Sequence, residues 1–203
     1  MQVAIVGSGN VGHALAQALD RAGHQIIFGV RHPEAGNADQ KSIAEASNQA
    51  DATILAVPFA AAAEVIAAAS GFAGKVLIDA TNPLGMVEGG LGLTMGFTTS
   101  GVEQIAALAP KAHVFKAFNQ TGFENMADAR PYATRPAMFV AGEDAAGKRI
   151  VLTLVSDAGF EAVDVGGLRA ARLLESLAML WIELARKRGL GSDFAFSLQR
   201  KVK

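Results

Sequence analysis

Short apolar runs alternate with amphipathic stretches along most of the chain. Val3 to Val6 is uniformly apolar, too short for a helix, and stops at Gly7, the pattern of a buried strand. From Asn10 to Ala22 the apolar positions Val11, Ala14, Leu15, Ala18 and Leu19 fall at helical spacing on one face, and Gly23 stands where such a helix closes. Gln25 to Phe28 reads as a second strand, and Lys41 to Gln49 as a short helix with Ile43 and Ala46 turned inward. Ala52 to Val57 is a strand stopped by Pro58, Ala60 to Ala69 an Ala-rich helix, and Val76 to Asp79 a strand broken by Asn82-Pro83. Leu84 to Gly101, rich in Gly, Met and Thr, has no clear period; it reads either as a mobile loop near a ligand or as a plain irregular connection. Beyond it come a helix over Val102 to Leu108, strands over His113 to Phe118 and Ala137 to Ala141, a helix over Glu143 to Ala158 and a strand over Ala162 to Val165. Strands alternating with helices predict an α/β protein, a Rossmann-type doubly wound parallel sheet over residues 1–165.

After Gly166-Gly167 the pattern changes. Leu168 to Lys187 reads as one long helix that is apolar over most of its circumference, with Leu173, Leu174, Leu177, Leu180, Trp181 and Leu184. Such a helix is buried on more than one side. Residues 166–203 are therefore expected to form a C-terminal helical extension that closes a substrate cleft and makes a homodimer contact; packing within one chain is the alternative.

Composition narrows the function. Half of the 203 residues are hydrophobic, mostly aliphatic, which suits helices lying on a parallel sheet. A net charge of -1 argues against an electrostatic nucleic-acid surface. With no cysteine, thiolate metal sites and a cysteine nucleophile are excluded. No apolar stretch is long enough for a membrane span and no leader pattern opens the chain, so a cytoplasmic protein is expected.

Gly7-Ser8-Gly9-Asn10-Val11-Gly12 is a G-x-G-x-x-G loop between the first strand and the first helix. Gly7 allows the tight turn, Gly9 a close approach of backbone to a pyrophosphate, and Gly12 close packing of helix on strand; free N–H groups at the helix start favour the anion. A carboxylate normally follows the second strand and binds the adenine ribose. Here the residues are Gly29-Val30-Arg31-His32. A guanidinium grips a phosphate and stacks on adenine, so Arg31 points to the 2′-phosphate of NADP(H) rather than to NAD(H), or else it is a solvated loop arginine. Gly29 would leave room for the extra group. His32 is placed to add a donor, or else lies in solvent.

The nicotinamide end is expected at the carboxyl ends of the strands: Ala56-Val57-Pro58, Ala80-Thr81-Asn82-Pro83 and Phe118-Asn119-Gln120-Thr121. None carries an acid–base set. His13 and His24 flank the first helix and read as solvent-facing, and His113 reads as structural. Asp79 is expected to be a hydrogen-bonded cap rather than a base. Lys116, inside a strand, could reach a cofactor or be structural. No His/Asp/Glu cluster has metal-ligand spacing. Hydride transfer between two organic cofactors needs positioning and dryness more than a protein acid, so the acceptor is expected to be flat and electron-accepting.

"VAIVGSGNVGHALAQALDRAGHQIIFGVRHPE" resembles the start of F420-dependent NADP oxidoreductases and of the cytoplasmic reductase domain of metalloreductases of the six-transmembrane epithelial antigen type. "VLIDATNPL", "VFKAFNQTGFENM" and "GGLRAARLLESLAMLWIELARKRGLG" are similar to segments at corresponding places, so the likeness covers almost the whole chain. The resemblance implies direct hydride transfer between NADP(H) and a deazaflavin (coenzyme F420) or flavin (FMN or FAD), the two rings stacked and no side chain acting as acid or base. It implies that Gly7, Ser8, Gly9, Asn10 and Val11 hold the pyrophosphate, that Arg31 and His32 hold the 2′-phosphate, and that Ala56, Val57, Pro58, Asn82 and Asn119 lie along the ribose and nicotinamide. Two other readings remain open: an imine reductase like the pyrroline-5-carboxylate reductases, and a non-catalytic NADP(H) sensor.

Overall fold

The computed structural model describes residues 1–202. Its centre is an eight-stranded sheet in the order β10-β9-β8-β5-β4-β1-β2-β3. The strands are β1 (Gln2–Val6), β2 (Gln25–Val30), β3 (Gln40–Ser42), β4 (Ala52–Leu55), β5 (Val76–Asp79), β8 (His113–Lys116), β9 (Ala137–Gly142) and β10 (Glu161–Asp164). Strands β1 to β5 and β8 run parallel; β9 pairs antiparallel with β8, and β10 follows β9 in parallel. The sheet is thus Rossmann-like but mixed, where the sequence predicts parallel strands throughout. The chain order turns back between β1 and β4, so a crevice is expected at their carboxyl ends.

Alternation along each strand divides the core. Val3, Ile5, Ile54, Ile78 and Phe115 pack on one face beneath α1 (Asn10–Arg21) and α6 (Ala145–Asp157). Val6, Leu55, Leu77 and Val114 pack on the other beneath α3 (Ala62–Ala68), α4 (Gly101–Leu108) and α7 (Ala171–Ile182). A strand covered on both faces loses its polar positions, which is why these segments read as continuous apolar runs. The helix α2 (Ile43–Gln49) is set by a capping box, Ser42 with Glu45.

Four features depart from the sequence reading. Leu84 to Gly101 is not simply irregular: β6 (Leu84–Val87) and β7 (Gly90–Leu93) form an antiparallel hairpin around the two-residue turn Glu88-Gly89. Gly89, with φ of +87°, supplies the left-handed backbone that such a turn requires. A short helix, α5 (Phe123–Ala127), packs against α1 in a stretch whose pattern is too short to announce it. The last helix is three pieces: a 3-10 turn (Leu168–Ala170), α7, and a π-helical turn (Glu183–Lys187). Finally, His24 is buried, its Nε2 3.0 Å from Asp157, tying the start of β2 to the end of α6 rather than facing solvent.

Trp181 is covered by its own chain. Its indole stacks on Phe194 with ring centroids 5.2 Å apart, and its Nε1 donates to the Phe194 carbonyl at 3.0 Å. The segment containing Phe194 returns over α5, where Asn125 donates to the carbonyls of Ser192 and Phe194, and then to β9, where Ala137 N donates to Phe196 O. The large apolar side chains that α7 leaves exposed are Leu173 and Leu180. No helix among the described residues is long and apolar enough to cross a membrane.

The join between α7 and the sheet is ionic. Lys116 at the end of β8 is fully buried; its Nζ donates to Asp79 Oδ2 at 2.7 Å and to the Thr81 carbonyl at 2.6 Å, and lies 3.0 Å from Glu175 Oε1 on α7. Glu175 also accepts from the N–H groups of Gly101 and Val102 at the start of α4, and Asp79 Oδ1 from Thr81 N. The excess negative charge of one cation and two carboxylates is thereby met by backbone donors. A second bridge, Arg172 bidentate to Glu103 at 2.9 and 2.7 Å, joins the same two helices, and the guanidinium holds the Glu103 carboxyl below its ordinary range. Lys116 is thus a core cation and not a cofactor contact. Replacing it in Lys116→Met strands two buried carboxylates and should cost about 3–5 kcal/mol in denaturant unfolding; a variant as stable as the parent would show that the cluster does not hold α7.

Candidate nucleotide-binding site

The crevice begins at the glycine loop. Gly7 has φ of +112°, and a Cβ there would strike the Ala56 carbonyl at the end of β4. A Cβ on Gly12 would strike the Gly7 carbonyl, so α1 sits on β1 only because position 12 carries no side chain. Over Gly9, in contrast, no atom lies within 4 Å of a Cβ position. Gly9 is also the N-cap of α1, where no side chain takes up the free N–H groups. Gly7 and Gly12 thus serve the turn and the packing, while Gly9 leaves the approach to the helix start open.

Two grooves meet along Val57 and Pro58. The first, of about 220 Å³, runs from Gly7 and Ser8 to Gly29, Arg31 and Glu64, with Ile43, Val57 and Val65 as apolar walls. The second, of about 340 Å³, runs from Gly9, Asn10 and Val11 past Ala56 and Pro58 to Ala80 and Phe123. Asn10 carries the one polar side chain among the described residues lining it. Nine residues of the sequence-predicted site (Gly7, Ser8, Gly9, Asn10, Val11, Arg31, Ala56, Val57 and Pro58) line one groove or the other.

Three predicted residues lie elsewhere. His32 is exposed and lines neither groove. Asn82 and Asn119 are bonded to each other: Asn119 Nδ2 donates to Asn82 Oδ1 at 3.0 Å, and Asn82 Nδ2 to the Asn119 carbonyl at 2.9 Å. Asn119 is buried, its amide further engaged by the Leu174 carbonyl and by Gln120 Nε2. Both its donors and its acceptor have partners within the protein, whereas half-buried Asn82 keeps one N–H uncommitted. The pair closes the gap between the ends of β5 and β8. Phe118, a buried residue with φ of +59°, makes the bend that brings Asn119 across.

Gly29 lines the first groove together with Arg31 and also serves the packing of the sheet. A Cβ there would lie 3.1 Å from Val6 Cγ2 and 3.4 Å from Ala46 Cβ, so the missing side chain lets α2 sit close on the sheet. Several lining residues escape sequence reasoning, among them the apolar walls Ile43 and Val65 and two residues of more distinct chemistry. Phe123 rides on α5, and Glu64, in the first turn of α3, stands 3.4 Å from Arg31 Nη1. Their contributions depend on tertiary placement, for which the chain carries no local signal. Of the remaining candidates, Asp79 is the hydrogen-bonded cap expected of it, and exposed His113 lies 3.8 Å from Asp144.

Residues 2–83, which include the glycine loop and all of the lining of the two grooves except Phe123, match the family model described as NADP oxidoreductase, coenzyme F420-dependent. The F420-dependent NADP reductase of Methanothermobacter marburgensis is 30% identical over 91% of this chain and 92% of its own length. The chain belongs to the F420-dependent NADP reductase family. A structure from Arthrobacter sp. FB24, assigned as an F420-dependent NADP-reductase, superposes with a TM-score of 0.87 at 31% identity, covering 98% of this chain and 100% of that one. The metalloreductase STEAP3 of Rattus norvegicus is 27% identical over 88% of this chain, which spans 36% of that protein's length. The family classes the chain with the NADP-dependent oxidoreductases, and its fold is an NADP(H)-binding oxidoreductase fold.

The glycines offer a test that needs no ligand. Gly12→Ala forces the helix off the strand and should lower stability by about 1–3 kcal/mol. Gly9→Ala meets open space and should cost less than about 1 kcal/mol. Equal losses in thermal unfolding would contradict the geometry described for the loop.

Proposed function

We propose that this protein passes a hydride between NADP(H) and a deazaflavin such as coenzyme F420, or a flavin, in the cytoplasm. The observation that carries the reading is the position of Arg31 in the first groove, at the end of β2, where the adenine ribose of a dinucleotide lies in folds of this kind. The guanidinium there favours a 2′-phosphate. The pyrophosphate crosses Gly9 against the start of α1, held by the loop from Gly7 to Val11. His32 adds a donor if its loop turns inward. The nicotinamide then enters the second groove, against Ala56, Pro58, Ala80 and Phe123, with Asn82 offering its remaining N–H nearby. That apolar lining favours a flat ring, which would cover the groove from water when bound.

The transferred hydride carries two electrons and one proton, so the residues have only to hold two rings in register and keep the space dry. The family of the chain supports the acceptor class: the Methanothermobacter relative is named as an F420-dependent NADP reductase. Residues 166–203 supply one side of the acceptor's space. Exposed Leu173 and Leu180 form the contact with a second copy of the chain, beside Phe97, which shares a cavity of about 530 Å³ with Leu173.

Mixing the protein with NADPH and F420, FMN or FAD, and following loss of the nicotinamide absorbance, should show turnover with at least one acceptor. Tight NADPH binding without turnover would favour a sensor, and turnover only with a cyclic imine a pyrroline-type reductase. Arg31→Met should weaken NADPH by about 1.5–3 kcal/mol in calorimetry while NADH changes little. Equal weakening of both nucleotides would remove the phosphate from its assigned place. The paired substitutions Leu173→Glu and Leu180→Glu should convert a sedimenting dimer into a folded monomer; a wild-type monomer would end the dimer reading. Trp181, bound within its own chain, is unsuitable for that test.

A further inference from the structure

The carboxylate missing after β2 has a counterpart in space. Glu64 lines the same groove as Arg31, and its Oε1 stands 3.4 Å from Arg31 Nη1. Both side chains are largely exposed, at 65% and 71% respectively, so neither is fixed by core packing. Glu64 comes from α3 and Arg31 from the end of β2, on separate segments that meet only in the folded chain. The groove therefore presents a cation and an anion to the same part of a nucleotide.

These two charges have opposite preferences. A carboxylate accepts hydrogen bonds from ribose hydroxyls and repels a phosphate, whereas a guanidinium attracts one. Any 2′-phosphate that reaches Arg31 approaches Glu64 as well, and must displace it or share the guanidinium with it. A free 2′-hydroxyl meets no such opposition.

We infer that Glu64 is a specificity-determining residue that opposes the 2′-phosphate and holds the preference for NADP(H) over NAD(H) below what Arg31 alone would give. This rests on the assignment of the adenosine half of NADP(H) to the first groove. The effect is moderate because exposed pairs are weak. In that respect the site is graded rather than absolute, and NAD(H) is a permitted, poorer ligand.

The test is calorimetry with NADPH, NADH and the fragments 2′-AMP and 5′-AMP, on wild type and Glu64→Gln. Glutamine keeps the shape and removes the charge, and because Glu64 is exposed the variant should fold. NADPH and 2′-AMP should each bind roughly three- to fivefold more tightly to the variant, the range expected for an exposed charge pair, while NADH and 5′-AMP stay level or weaken. An unchanged or weaker affinity for NADPH and 2′-AMP overturns the inference and leaves the cofactor reading standing. An equal gain for all four ligands also overturns it, since the phosphate would not be what Glu64 senses. If wild type binds neither dinucleotide, the cofactor reading itself fails and this inference falls with it.

Discussion

A lysine ammonium with no access to water must be surrounded by acceptors, and the structure arranges itself around that demand. Lys116 ends a central strand, and the groups that answer it come from two places: Asp79 and Thr81 at the end of β5 and just beyond it, and Glu175 from α7. Glu175 in turn receives the first N–H groups of α4. One buried charge thus fixes two strand ends and two helices relative to each other. A buried charge with fewer partners would unfold its surroundings, so the cluster holds as a set or not at all. Immediately beside it, the Asn82–Asn119 pair and its bond to the Leu174 carbonyl extend the same network along the rim of the sheet. The second groove begins next to this network, at Ala80 between Asp79 and Thr81.

Much of the architecture is legible in the order of apolar and polar residues, because β1, β4, β5 and β8 are covered on both faces and announce themselves as apolar runs. The glycine loop is legible for a different reason: two of its three glycines are dictated by collisions with the protein's own backbone, which any sequence of this fold must avoid. The rest was written in contacts that no local window contains. Lys116 reads as a strand residue that could reach a cofactor or be structural, and only the meeting of the strand end with Glu175 of α7 shows that it is structural. Trp181 looks like a candidate for a partner's surface until Phe194 covers it. The hairpin over Leu84 to Leu93 is hidden by its glycines, which weaken the strand pattern while making the turn. Asn119 was legible as a site-rim residue, but its hydrogen-bond capacity is taken up inside the protein.

The two grooves differ in character, and the difference divides the labour of recognition. The one beside Arg31 and Glu64 sets two exposed, oppositely charged side chains against the apolar walls of Ile43, Val57 and Val65. The one beside Ala80 and Phe123 has Asn10 as its one polar side chain among the described residues and carries no charged group there. On the proposed reading, discrimination and alignment fall to separate residues, so substitutions in one groove are expected to shift nucleotide preference without disturbing the geometry of the other.

The segment through Phe194 has a consequence for how the molecule is made. It crosses α5, the helix that supplies Phe123, and binds Asn125 through the carbonyls of Ser192 and Phe194. The apolar groove thus has the glycine loop on one side and, on the other, a wall braced by residues from the opposite end of the described chain. During vectorial synthesis the loop and α1 emerge early, but their opposing wall stays unsupported until Phe194 has left the ribosome. A nascent chain can display the nucleotide loop long before it possesses a finished groove.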